Sequence, residues 1–138
     1  MAQQSYAKHA HRPVLTTVAG LLTLNAIAHV AIVAYRQPSV LSFGLLSLSL
    51  GVFVLVWISR AYIVRLQDRI IRMEMRWRLH VLGRDAGFER LAIKQVTALR
   101  FASDAELPAL VDKTLAENLT PDQIKRAVRD WQPDLYRT

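Results

Sequence analysis

An all-α chain is what this sequence predicts. A transmembrane helical hairpin, with helices at 14–35 and 40–59, continues into a long cytoplasmic helix at 60–82. About three short soluble helices then occupy 83–138, and residues 1–13 form a cytoplasmic N-terminal segment. Three observations predict it. Two apolar runs, Val14–Tyr35 and Val40–Ile58, contain no Lys, Arg, Asp or Glu, and only Arg36-Gln37-Pro38-Ser39 separates them. From Arg60 to Leu82 there is neither Pro nor Gly, and apolar residues recur at helical spacing. Beyond Gly83, Ser/Thr-led start signals and prolines punctuate short amphipathic segments.

The first two runs are each long enough to span, since ~20 apolar residues cover a bilayer core. Helices are the natural form there, because lipid cannot satisfy bare backbone groups. A four-residue connection makes them antiparallel neighbours. Lys8 and Arg12 precede the first run and Arg60, Arg65 and Arg69 follow the second, so the positive-inside bias places both termini in the cytoplasm. Tyr35 and Trp57 fall near opposite interfaces, where amphipathic rings belong. Two other readings compete. Lys8, Arg12 and Ala26-Ile27-Ala28 imitate a signal peptide, but the run stays apolar past Ala28. A buried soluble pair is the other, yet two uncharged runs of this length exceed what a small domain holds.

Charge is unevenly placed. The formal net charge is +7, and there is no cysteine. Six arginines between 60 and 82 meet only Asp68 and Glu74, while the chain from Gly83 onward is neutral. A nucleic-acid binder would carry its basicity on the folded domain. Here the expected partner is the anionic inner leaflet, contacted by Arg60, Arg65, Arg69 and Arg72, at about 1 kcal/mol per basic residue. Nucleic acid is not expected. The absence of cysteine excludes disulfides and thiolate chemistry.

Inside the spans, Asn25 and His29 stand four apart on one helical face. Folding the hairpin sets Asn25 beside Leu50 and Gly51, and His29 beside Leu46 and Ser47. Gly44, Ser47 and Gly51 form a small-residue face that permits close helix packing. The expected arrangement is an intramembrane polar contact of Asn25 and His29 across this seam, for example to Ser47. The alternative makes His29 an axial ligand to a haem or chlorin, or a proton carrier, because an intramembrane ionisable group is a functional candidate by default. No cofactor is otherwise expected.

On the third stretch, Ile63, Leu66, Ile70, Met73 and Trp77 alternate three-four, which is a heptad seam. It could pack on the C-terminal helices, pair with a second copy, or lie on the headgroups. A helix over 88–101 should bury Leu91, Val96 and Leu99. Ser103-Asp104-Ala105-Glu106 reads as a capping box opening a helix to Asn118, with Pro108 in its first turns. Thr120-Pro121-Asp122-Gln123 repeats the device and opens a helix to Trp131.

Nothing here carries catalysis. Asp104 and Glu106 suit a helix start. His9, His11 and His80 lack the ligand count and support of a metal site. There is no phosphate loop or nucleophile elbow. A helix-turn-helix is argued against by the neutral domain, and a lipid-metabolising enzyme lacks any residue cluster to name. A non-enzymatic interaction or accessory role follows, with a protein partner or homo-oligomer on the seam.

Three segments also carry a resemblance: Val64–Glu74, Ala98–Pro108 and Ile124–Trp131, together with Gln4-Ser5-Tyr6. They are similar to a family of small bacterial membrane proteins described only as a domain of unknown function. The resemblance covers nearly the whole chain. It implies a two-helix membrane protein from bacteria, and it supplies no activity and no catalytic residues.

Overall fold

A computed structural model describes residues 13–132. The described chain is all-helical: α1 Val14–Arg36, α2 Val40–Val81, α3 Ile93–Leu99, α4 Leu107–Glu117 and α5 Pro121–Ala127, with a 3₁₀ turn at Phe88–Arg90. It divides into two compact units between Arg65 and Leu66, within the length of α2.

The N-terminal unit is a two-helix hairpin. Its turn is built by serines. The Ser39 N–H donates to Ser42 Oγ (2.9 Å), and the Ser42 N–H donates to Ser39 Oγ (3.1 Å). This is a reciprocal cap with serine where glutamate usually stands. Along α1 the less exposed positions are Thr16, Ala19, Gly20, Thr23, Ile27, Val30 and Ala34. Along α2 they are Ser42, Leu46, Ser49, Phe53, Val56 and Arg60. Both rows keep three-four spacing, the signature of a shared helix–helix seam. Gly20 lies at this seam, where a Cβ would sit 3.7 Å from the Trp57 ring. Elsewhere the hairpin shows apolar side chains outward. Of the most apolar windows of α1 and α2, 11% and 6% of residues are buried, and both helices are long and apolar enough to cross a membrane.

Several hydroxyls in these helices bond backwards. Thr23 donates to the Ala19 carbonyl (2.9 Å), Ser47 to Phe43 (3.0 Å) and Ser49 to Leu45 (2.8 Å). Such bonds satisfy the hydroxyl inside its own helix.

The C-terminal unit has a closed core. Met75 and Leu79 of α2 pack with Phe88, Leu91, Val96, Leu99, Leu107, Leu110, Val111, Leu119 and Ile124. α2 ends in a Schellman motif: Arg84 N–H donates to the Leu79 carbonyl (2.8 Å) and Gly83 N–H to the His80 carbonyl (2.9 Å). Gly83 takes φ 67°, a conformation glycine adopts without penalty.

Three sequence expectations change here. The 88–101 helix is broken into the 3₁₀ turn and α3, because Leu91 and Ala92 are extended in the sense of a helix start, with Ala92 at ψ 148°. The Gln95 side chain defines that start by accepting from the Ala92 N–H (2.8 Å). The Ser103 capping box does not form. α4 begins at Leu107, and the Glu106 carboxylate instead accepts from the Arg129 and Asp130 N–H groups (3.1 and 3.3 Å). The last helix stops at Ala127 rather than Trp131. Trp131 leaves the helix to stack on Phe101, with ring centroids 4.6 Å apart, while Ala102 and Trp131 form an antiparallel bridge. The Thr120 box is present: Thr120 Oγ1 accepts from Gln123 N–H (3.3 Å), and Gln123 Oε1 accepts from Thr120 N–H (2.8 Å).

Candidate functional site

α2 presents two faces to two fates. Within the C-terminal unit its covered side is Met75 and Leu79, flanked by the partly buried Ile71 and Leu82. The heptad seam lies on the other side and is open. Ile63 is 46% exposed, Leu66 58%, Ile70 55%, Met73 64% and Trp77 68%. Of the three seats considered for this seam, packing on the C-terminal helices of the same chain is therefore not realised. Those helices dock on the opposite face, because Ile71, Met75 and Leu79 supply a second apolar row.

Arg78 anchors that docking. Its guanidinium grips Asp104 Oδ1 twice, from Nε (3.0 Å) and Nη2 (2.6 Å), and donates to the carbonyls of Arg100 (3.2 Å) and Ala102 (2.9 Å). Those carbonyls follow the end of α3, where helical partners run out. A planar donor fork suits this task, and lysine could not replace it. Gln95, itself buried, does the same for the end of α4. It donates to the Asn118 side chain (3.2 Å) and the Leu119 carbonyl (3.0 Å), where Asn118 takes φ 49°.

An open groove of about 500 Å³ borders the seam. Met73, Trp77 and Phe88 make its apolar lining, and Arg76, His80, Asp85 and Glu89 its polar one. Arg76 pairs with Glu89, and His80 Nδ1 lies 2.7 Å from Asp85 Oδ2. Arg72 also reaches Glu89 (3.1 Å) and lies over the Phe88 ring at 5.3 Å. Arg72 is thus held inside the C-terminal unit, whereas Arg65 and Arg69 are exposed and Arg60 is half-buried.

The polar residues of the two apolar helices do not meet as expected. Asn25 and His29 are exposed on α1, and His29 Nδ1 bonds the Asn25 backbone carbonyl at 2.9 Å. Ser47 bonds its own helix. Gly44 and Gly51 have nothing within 4 Å of an added Cβ, so they do not line the contact with α1. Leu46, one residue before Ser47, and Ser49, two after it, lie on the covered row, which turns that small-residue face outward. Among the described residues no group of three or more His, Cys, Asp or Glu could hold a metal ion. His9 and His11 lie outside the described residues.

The sequence matches a family model over residues 1–138. The chain belongs to the family of unknown function DUF6526. No curated protein and no solved structure matches it. The family membership gives the three resembling segments a common context and assigns no chemistry to them.

Proposed function

We propose that this chain is an integral protein of the bacterial inner membrane, spanning twice with both termini in the cytoplasm. In this reading it works as a non-enzymatic interaction subunit, an accessory or scaffold chain of a membrane complex. The observation that carries it is the pairing of two outward-facing apolar helices with a third apolar surface, the Ile63–Trp77 seam, that the chain's own core leaves open. Apolar side chains facing outward along two whole helices need an apolar solvent. The hydroxyls of Thr17, Thr23, Ser47 and Ser49 bond carbonyls one turn back, which suits helices in a bilayer. Arg60 and Arg65 sit just past the end of the apolar run of α2, suited to anionic headgroups.

The chain has no cysteine, so single cysteines report topology cleanly. With cysteines at Gln4, Gln37 and Thr138, an impermeant reagent applied to intact cells should label Gln37→Cys alone. Labelling of Thr138→Cys but not Gln37→Cys would overturn the orientation, and release of the protein by alkaline carbonate would overturn the anchoring. The role is tested by purifying the chromosomally tagged protein from native membranes in mild detergent. A stoichiometric co-purifying chain is the expected result.

One observation favours a second reading. A carbonyl only accepts, so the bond to Asn25 puts the proton on His29 Nδ1 and leaves the Nε2 lone pair on an exposed face. That is the tautomer a metal-ligating histidine uses, oriented by its other nitrogen. A haem- or chlorin-binding subunit would show a visible absorbance band lost in His29→Ala. A colourless, intact protein from native membranes removes this reading.

A further inference from the structure

We infer that the open seam of α2 is a dimer interface, taken by the same seam of a second copy in parallel and in register. The parallel sense rests on the membrane reading above, since two copies inserted the same way bring their α2 helices down side by side.

The heptad assignment decides what each face can do. With Ile63, Ile70 and Trp77 at a, Leu66 and Met73 fall at d. These five are the exposed apolar row. Ile71, Met75, Leu79 and Leu82, the row covered by the chain's own core, fall at b, f, c and f. Docking of the C-terminal helices therefore leaves the a and d positions open, together with Arg69 and Glu74 on the flanks, while Arg76 at g is paired with Glu89. A d/a row of Ile, Leu, Ile, Met and Trp is what a two-helix seam buries.

Charge selects the occupant and its direction. Arg69 stands at g and Glu74 at e of the next heptad. In a parallel coiled coil, g of one helix faces the following e of the other, so Arg69 meets Glu74 twice across the dyad. Both side chains are exposed, and neither makes an ion pair within the chain among the described residues. An antiparallel pair would set Arg69 against an arginine of the other helix and leave Glu74 without a basic partner. A headgroup surface leaves Glu74 facing anions on the same side of the helix. A second copy in parallel answers both charges.

Two and a half heptads are short for a free coiled coil. Tethering in two dimensions supplies the missing drive, because it converts pairing into a reaction at high effective concentration. α2 runs without a break from Val40 to Val81, so the seam is presented on a preformed helix and the ordering cost is already met.

The test uses the full chain in its own membranes, with single cysteines and a mild oxidant, and with carbonate extraction on the same samples. Ile63→Cys and Ile70→Cys should each give a disulfide-linked dimer, and Arg65→Cys, on the far side of the helix, should not. Arg69→Glu should lower the Ile63→Cys dimer yield about fivefold, from two lost ion pairs and two like-charge contacts, and adding Glu74→Arg should restore it. Retention in the membrane with equal cross-linking at all three sites, or none, overturns the dimer and leaves the anchoring reading intact. Cross-linking of Ile63→Cys only with Trp77→Cys overturns the parallel register. Carbonate release with seam-specific cross-links overturns the anchoring and supports the dimer.

Discussion

The hairpin and the C-terminal unit use the same kinds of apolar residue to opposite ends. In the C-terminal unit, Met75, Leu79, Val96, Leu99, Leu107 and Ile124 are fully buried. In the hairpin, Leu21, Leu22, Leu48 and Leu55 are each more than 60% exposed. Composition does not separate them, but patterning does. The C-terminal segments alternate apolar and charged residues, so burial of one face leaves a wettable surface. The hairpin helices are apolar all round, so their contact row satisfies only a fraction of their surface. One unit is finished by its own packing. The other leaves most of its apolar surface open.

Truncating a core side chain should break the comparison most strongly on the C-terminal side. Leu99→Ala removes a fully buried side chain and should cost about 2–5 kcal/mol. Denaturant titration of the purified full chain, read by protease resistance of the C-terminal unit, should show that loss. The matching truncation Leu48→Ala should leave the same reading unchanged, and an equal effect would mean the two regions share one core.

A charge tests the hairpin's solvent. Leu48 lies near the middle of the second apolar run and faces outward. Leu48→Lys should therefore disfavour membrane insertion by roughly 2.5–3.5 kcal/mol. The fraction pelleting with membranes after carbonate treatment measures it. On a water-facing helix the same change would be silent, so an unaltered fraction would show that the exposed face does not meet lipid.

Much of this architecture is legible in sequence, and the reason is local. The apolar runs, the heptad row and the Thr120 box each act within a turn or two of their own residues. The failures are long-range. Nothing near Arg78 announces that it will hold carbonyls 22 and 24 residues away. The three-four spacing of Ile63–Trp77 was legible, but which of two apolar rows would meet the C-terminal helices was not, because Ile71, Met75 and Leu79 offer a competing row. The Asn25–His29–Ser47 contact failed because His29 and Ser47 each bond a carbonyl one turn back on their own helix, and Asn25 is exposed. The split between the 3₁₀ turn and α3 had a signal in Gln95, three residues after Ala92, which reads as a helix start once its partner is considered.

Gln95 yields the next effect in size. Gln95→Leu keeps the volume while removing the partners of the Ala92 N–H and the Leu119 carbonyl. Stranding buried backbone groups should cost about 1–3 kcal/mol, more than the side chain's apolar gain returns. Chemical denaturation should show the loss, and the helix content by circular dichroism should stay nearly constant. A neutral result would mean water replaces both bonds and the ends of α3 and α4 are wetter than their packing indicates.

The smallest test compares two look-alike motifs inside the C-terminal unit. Ser103-x-x-Glu106 and Thr120-x-x-Gln123 read the same in sequence, yet only the second closes. Thr120 caps Gln123 directly, so Thr120→Ala should cost about 1 kcal/mol. Ser103 Oγ is buried and has no hydrogen-bond partner among the described residues, so Ser103→Ala should change stability by about 0.5 kcal/mol or less. Glu106 has left the serine for the Arg129 and Asp130 N–H groups, where it holds the end of α5 against the start of α4. Glu106→Gln keeps an acceptor there and should fall between the two. If Ser103→Ala proved as costly as Thr120→Ala, the first box would be closed in solution and α4 would start three residues earlier.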